Sequence, residues 1–399
     1  MSSPSIVPAV QLANNVPEDL SALRYIWRPP VAPGMRLLAV GDVGFSGRVL
    51  RSGQINNFRS LFRDVVPFLT IGDFVFGNLE TPLVDQAADY GLFAGTKAAV
   101  PTLSQSGFHL LHLANNHIYD YGAEGLFSSL QTLSAGGLAV LGAGDSDYAA
   151  RQAFCVDIGP LKMGWLGCGR TKQIQTEGGP KFWEFDQTEL IGAIQKLRPT
   201  VDFLVVSIHI GLMYLDYPDP EHREMAKALT AAGADLVLMH HAHVLQGVEV
   251  QPEGQIICHN LGNFLLDWQE GHVSADIAVQ EQREGGVFVF DIDQEGIYQM
   301  AVLPTWIKDD CTVTWAVAEQ GERILSRLMR ISQDLKGDYT AVFKQQRAER
   351  NIGLTFKVIG YHVRQGNYKV FWQSLQQLRP KHLNLIWRWL NQKRRTPIS

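Results

Sequence analysis

Val237-Leu238-Met239-His240-His241-Ala242-His243-Val244-Leu245-Gln246-Gly247 is the stretch on which the fold turns. An apolar run stops abruptly in three histidines out of four residues. Such a run predicts a buried strand, with the histidines projecting from its end into a loop. His241 and His243 are two apart, so a short turn aims both imidazoles at one point. Imidazole is a common metal ligand, and its second ring nitrogen stays available for a supporting bond. A histidine pair needs further ligands, and those must come from the ends of other strands.

The chain supplies them in order. Residues 35–40 are apolar and run into Gly41-Asp42-Val43-Gly44, where the glycines let the backbone turn closely. Residues 74–77 end in Asn78-Leu79-Glu80-Thr81-Pro82. Residues 108–114 end in Asn115-Asn116-His117, with Asp120 and Gly122 just behind. Residues 201–208 end in His209-Ile210-Gly211, and residues 255–259 lead into Asn260-Leu261-Gly262-Asn263-Phe264. Helices fit between them. One runs through Leu133 to Gly136-Gly137; another starts at Pro220, carries Met225, Ala228, Leu229 and Ala232 on one face, and stops at Gly233.

Strand, polar loop, helix and strand again predict an α/β domain with a largely buried sheet, in which ligands gather beyond the strand ends. Each residue at those ends has an ordinary explanation by itself: a capping Asp, a solvated Glu, a core histidine. Five strands ending in Asp42, Glu80, Asn116-His117, His209 and His241/His243 predict a metal site.

At these residues the sequence resembles the CapA family of capsule and poly-γ-glutamate synthesis proteins, a branch of the calcineurin-like metallophosphoesterases. The matching pieces run from Gly41-Asp42 through Asn78-Leu79-Glu80 and Leu113-Ala114-Asn115-Asn116-His117 with Asp120-Tyr121-Gly122. They continue through His209, Gly211 and Gly233-Ala234-Asp235-Leu236-Val237 to residues 240–246 and Leu261-Gly262-Asn263-Phe264. The resemblance implies a four-layer α/β/β/α sandwich with a centre of two divalent metal ions at one sheet edge. Asp42 and Glu80 would supply carboxylates, Glu80 as the bridge; Asn116 would bind one metal and orient substrate; His209, His241 and His243 would supply imidazoles. His117 would act beside the metals as general acid. Asn78, Asn263 and His240 would bind substrate. Mixed nitrogen and oxygen ligands suit manganese, iron or zinc better than calcium.

The sequence departs from the family at several points. The wider phosphoesterases carry Asp-x-His on the first strand, whereas Val43-Gly44 follow Asp42 here, so one ligand is missing. Ile210 and Met213 stand where relatives often have Trp and Glu, and Met239 stands where a glycine usually precedes the histidines. The implied activity is a metal-dependent hydrolase acting on a phosphoester or a γ-glutamyl-type amide, with an anionic polymer or phosphoester as substrate. A non-catalytic accessory or scaffold subunit of a polymer-synthesising complex is the alternative.

Composition bounds the rest. With 46% apolar and 19% charged residues the chain reads as globular rather than disordered. Its four cysteines form no C-x-x-C pair, which argues against a zinc ribbon or a disulfide framework. No basic region with an apolar core opens the chain, and no apolar run reaches the ~20 residues a membrane helix needs, so a cytoplasmic protein is expected. Residues 1–34 hold six prolines without apolar period and read as an arm, residues 35–310 as the metallophosphoesterase-like domain, and 311–399 as a helical, basic extension.

Charge divides the chain. Residues 341–399 carry 12 Lys and Arg against one acid, Glu349, a net +11 that leaves −16 on the other 340 residues of a chain at −5. Ile324, Leu328, Ile331 and Leu335 form a helical stripe ended by Gly337. Phe371, Leu375 and Leu378 repeat the spacing, as do Leu383, Ile386, Trp387 and Leu390 before Lys393-Arg394-Arg395. Such a segment fits a helix lying on an anionic membrane surface, and equally a helical hairpin packed on the core with its basic face in solvent. Nucleic acid is not expected, since no reading motif accompanies the charge.

Overall fold

The computed structural model describes residues 4–13, 15–32, 34–84, 93–171, 175–266 and 280–351. Two sheets account for most of the strands. The first takes β1 (Ser5–Pro8), β2 (Ser21–Ile26), β3 (Met35–Val43), β4 (Phe74–Leu79), β5 (Leu110–His112) and β6 (Ala139–Leu141). The second takes β7 (Phe154–Ile158), β8 (Leu161–Gly169), β9 (Phe203–His209), β10 (Leu236–His240), β11 (Val248–Val250) and β12 (Ile256–Cys258). The chain then returns to the first with β13 (Asn263–Leu265), β14 (Glu284–Asp293), β15 (Gly296–Ile307) and β16 (Val313–Trp315).

The ten-stranded sheet runs β1-β2-β15-β14-β3-β4-β5-β6, with β13 beside β3 and β16 beside β15. The six-stranded sheet runs β7-β8-β9-β10-β12-β11. The strands that carry the predicted site, β3–β4–β5 in one sheet and β8–β9–β10 in the other, are parallel. Their carboxyl ends therefore lie on one edge.

Alternate residues of each strand feed different cores, as a pleated strand requires. Leu37, Ala39, Phe74 and Phe76 meet Met163, Trp165, Val205 and Leu238 between the sheets. Leu38, Val40 and Val75 face outward with Val49 from α1 (Gly47–Asn56) and Leu126 and Leu133 from α2 (Gly122–Ala135). On the far side Leu204, Val206 and Ile208 pack on α3 (Gln187–Leu197) through Leu190 and Ile194, and on α4 (Pro220–Ala231) through Met225 and Leu229. The result is the α/β/β/α sandwich.

The helices begin and end where their sequence says. Asp219 caps α4, accepting from the Glu221 amide at 3.0 Å, and Pro220 occupies the first turn, where no amide is needed. Gly233, at φ 121°, ends it. The stripe Ile324, Leu328 and Ile331 is buried along α5 (Ala318–Asp334).

Both terminal segments pack on the main domain. The N-terminal arm supplies strands: β2 pairs with β15 from Ile26–Gln299 to Leu23–Val302, and Leu23 and Tyr25 enter the inter-sheet core. Residues 340–351 are helical, and Phe343 is buried against Tyr217, Leu335 and Tyr339. This first part of the basic extension is thus packed on the main domain. The amphipathic patterns at 371–378 and 383–390, and the membrane contact read from them, lie outside the described residues. No helix among the described residues is long and apolar enough to cross a membrane.

A charged cluster ties these pieces together. Arg223 of α4 donates to Glu249 of β11 at 2.9 and 2.6 Å and to the Leu335 carbonyl at the end of α5, while His259 lies 3.0 Å from the same carboxylate. Burial pushes the Glu249 carboxyl up, but the bonds from His259 and Arg223 outweigh it and hold it at about 2, below its ordinary 4.5. A depressed folded-state pKa means stability present at neutral pH and lost as pH falls from about 4.5 through 2. Glu249→Gln is expected to lose roughly 1–3 kcal/mol at pH 7, with the gap to wild type closing across that window. Urea titrations at pH 7, 4 and 2.5 measure it, and a gap independent of pH would contradict it.

Candidate metal centre

The bend that aims Asp42 is built from glycine. The β3–β4 register shifts between Ala39 and Asp42, and β13 lies alongside with Asn263 opposite Asp42. A Cβ on Gly41 would sit 1.9 Å from the Gly262 carbonyl oxygen, so only glycine admits this approach. On β4, Asn78 pairs with Asp42 and donates to its Oδ1 at 2.8 Å, and Glu80 follows with its amide on the Val43 carbonyl. Beyond β5, buried Asn115 donates to the Leu79 carbonyl and accepts from the amides of His117 (3.1 Å) and Ile118 (3.0 Å). That turn presents Asn116 and His117.

The second sheet arrives from across the gap. Gly169, His209 and His240 end three neighbouring strands in register. A Cβ at Gly169 would lie 1.8 Å from the Ala114 carbonyl oxygen, which shows how tightly the two edges close. After His240 the backbone is left-handed at His241 (φ 90°) and again at His243 (φ 58°), conformations that non-glycine residues hold only at a cost. This zigzag turns both rings toward the first sheet.

The side chains form two overlapping donor groups. Glu80, His209 and His241 make one and Asp42, Glu80 and His243 the other, each with its ligand atoms within 4.8 Å of one another. Glu80 is common to both. The Asn116 Oδ1 lies 2.8 Å from His209 Nε2 and 3.1 Å from His241 Nδ1. Asp42, Glu80 and His209 are fully buried, yet neither Glu80 oxygen has a hydrogen bond among the described residues. An unbonded buried carboxylate is costly, and a cation removes that cost. Two carboxylates, three imidazoles and an amide oxygen fit divalent manganese, iron or zinc.

The electrostatics say the same. Burial raises the Glu80 carboxyl, against the pull of His243, and the Asp42 charge raises it further. Burial lowers His243, but the charges of Glu80 and Asp42 overturn this and hold it protonated. His241 falls to about 3 through burial and the His243 charge, and burial also lowers His209. Burial pushes Asp42 up, but His240 and His243 hold it far below its usual range. The site thus already contains neutral imidazoles, an ionised carboxylate and one excess proton, which a cation would displace.

Three residues expected at the substrate are found behind the ligands instead. Asn78 is buried on Asp42 Oδ1 and lies 3.2 Å from His209 Nδ1. Asn263 sets its Oδ1 3.0 Å from His243 Nδ1 and donates to the Gln282 carbonyl. His240 is buried between the sheets, 6.0 Å from the rings of Phe76 and His112. Their strand positions turn them inward, against the candidate ligands and away from solvent.

At the open side stand Asn116 and His117, both half-buried. His117 Nδ1 lies 2.9 Å from Asp120 Oδ2, and Phe93 covers the ring at 4.3 Å between centroids. Asp120 had no role assigned from sequence; its i,i+3 spacing from His117 was the available signal. The missing first-strand histidine has no substitute at residue 44. A Cβ on Gly44 would meet Leu266 Cδ1 at 2.4 Å, so Leu266 fills that space.

The family profile described as bacterial capsule synthesis protein PGA_cap matches residues 36–268. The capsule biosynthesis protein CapA of Bacillus anthracis is 30% identical over 276 residues, 65% of this chain and 66% of that one. The PGA biosynthesis protein CapA of Bacillus subtilis (strain 168) is 28% identical, covering 66% and 72%. The chain thus spans about two-thirds of these relatives' length. Among solved structures, a novel phosphatase from Mycoplasma pneumoniae matches with a TM-score of 0.44 at 13% identity, over 77% of this chain and 99% of that one. The calcineurin-like phosphoesterase YfkN from Bacillus subtilis matches at 0.38 and 11%, over 76% and 98%.

His241→Ala and Glu80→Gln are each expected to lower bound metal without unfolding the domain. The metal-free Glu80→Gln protein should melt no earlier than wild type, since the carboxylate it replaces is buried with no hydrogen bond among the described residues. Plasma emission and thermal melts check both. Wild-type metal content in the two variants would mean that the centre lies elsewhere.

Proposed function

The chain belongs to the bacterial capsule synthesis protein family, and from that membership we propose that it is a metal-dependent hydrolase of capsule or exopolymer synthesis. Its substrate on this reading is an anionic polymer or its precursor, cleaved at a phosphoester or a γ-glutamyl-type amide. The observation that carries the proposal is the pair of donor groups sharing Glu80, with Asn116 and His117 half-buried at their rim.

Two bound divalent cations would supply an activated water and stabilise charge on the group attacked. Asp42, Glu80, Asn116, His209, His241 and His243 would hold them. The chain's own contribution is orientation and proton transfer. Asp120 fixes the His117 ring through Nδ1, so the imidazole can give a proton from Nε2 to the departing oxygen or nitrogen. Phe93 packs across the same ring, 4.3 Å between centroids, and helps to hold it in place. Asn78 and Asn263 keep Asp42, His209 and His243 aimed.

A second reading, a non-catalytic accessory subunit of a polymer-synthesising complex, draws support from one observation. Leu266 occupies the space a first-strand histidine would need, and this leaves the Asp42 group with one ligand fewer than the wider phosphoesterases have. Metal analysis followed by a screen of phosphoesters and γ-glutamyl peptides separates the readings: bound metal with turnover supports the hydrolase, and metal-free inactive protein the accessory role.

His117→Ala is expected to keep its metal and to lose about 10²–10⁴-fold in turnover on substrates with poor leaving groups. A nitrophenyl ester, whose leaving group needs no proton, should be cleaved nearly as before. Equal loss on both would remove His117 from the acid role.

A further inference from the structure

The basic extension sends one side chain to a tyrosine that adjoins this site. In helical residues 340–351, Phe343, Gln346, Arg347 and Arg350 are spaced i, i+3, i+4 and i+7 and so share one face. That face lies on the main domain: Phe343 is buried beside Tyr217, Gln346 reaches Asp216 at 3.5 Å, and Arg347 lies 3.8 Å from Asp219. The same face delivers Arg350 to Tyr214, its guanidinium carbon 5.3 Å from the ring centroid. Tyr214 in turn belongs to the centre. Its amide donates to the Ala242 carbonyl at 2.8 Å, within the histidine turn, and its ring lies 6.1 Å from that of His243.

Arg350 differs from its neighbours in what it lacks. Arg223 is bonded to Glu249, and Arg327 to Asp216 and Glu284. Arg350 has neither a hydrogen bond nor an ion pair among the described residues, and its Nε is buried without a partner. Its neighbour in sequence, Glu349, accepts from Gln345 at 2.9 Å instead. Burial lowers the Arg350 pKa, the mark of a guanidinium partly stripped of water with no anion in return. A planar five-donor fork held on an aromatic face is suited to bidentate contact with a carboxylate or phosphate.

We infer that Arg350 is a specificity-determining residue that grips a second oxyanion of the substrate, beside the group held at the metal centre. The preferred substrate is then one with two anionic groups close together: a polyphosphate-like or phosphodiester-linked chain, or a γ-glutamyl chain with its free α-carboxylates. This rests on the hydrolase reading above, but it can fail separately.

The test uses the full chain and two pairs of probes, pyrophosphate against inorganic phosphate and glutarate against butyrate, with affinities from calorimetry. Arg350→Gln is expected to bind the two-anion member of one pair about tenfold or more weaker, with its one-anion member unchanged. The pair that responds identifies phosphate or carboxylate as the source. Wild-type affinity for pyrophosphate and glutarate in Arg350→Gln overturns the inference. Should that variant melt early, Arg350→Lys carries the test: it keeps the charge without the fork, a several-fold loss on the two-anion probe is expected, and unchanged affinity is again fatal. Arg350-dependent binding in a protein without turnover sinks the hydrolase reading alone. Turnover with Arg350-independent binding sinks this inference alone.

Discussion

Glu80 sits fully buried between two sheets with no hydrogen bond on either oxygen among the described residues, and the rest of the site is arranged around that unmet demand. A carboxylate in that position needs a positive charge. His243, held protonated by Glu80 and Asp42, offers a partial answer. A cation held by the histidines, carboxylates and amide around it would be a fuller one. The two edges can supply this only because they close to contact at Gly169 against the Ala114 carbonyl, while Gly41 lets the segment before β13 lie against β3. A side chain at Gly169 would wedge the edges apart, and the ligands from each sheet would no longer share a centre.

Much of this could be read from the residues. The strands before Asp42, Glu80, Asn115, His209 and His241 are where their apolar runs end, and the polar residues beyond them converge as expected. Parallel strands buried on both faces give such continuous runs, so their ends are visible even where no alternation is. The roles of Asn78, Asn263 and His240 were not visible. Which face a residue takes depends on register, and a bulge between Ala39 and Asp42 changes it locally.

Other parts were illegible for different reasons. β14 is buried along its whole length, and its run mixes glycine and acids with aromatics, so no period marks it. β2 hid in a proline-rich context whose character comes from the residues on either side of it. The left-handed turns at His241 and His243 leave no compositional trace, because a glycine would usually occupy such positions. The charge step toward the C-terminus was plain, but charge alone does not say which arginines face solvent. Phe343 decides that for residues 340–351 by anchoring one face of the helix.

The placement of β13 beside β3 has a consequence for how the chain comes together. Asp42 and Asn263 are neighbours in the sheet although nearly the whole family domain separates them in sequence. The first sheet is therefore incomplete until the second has been made, since β7 to β12 lie between its two instalments. Closing so long a loop is slow, and it must wait for late segments of a chain made from its N-terminus. During synthesis Asp42 and Glu80 emerge well before their histidine partners. Neither donor group can be complete in the emerging chain until His209, His241 and His243 have been made. A metal held by these groups would be captured only after assembly of both sheets, and so would report on a finished domain.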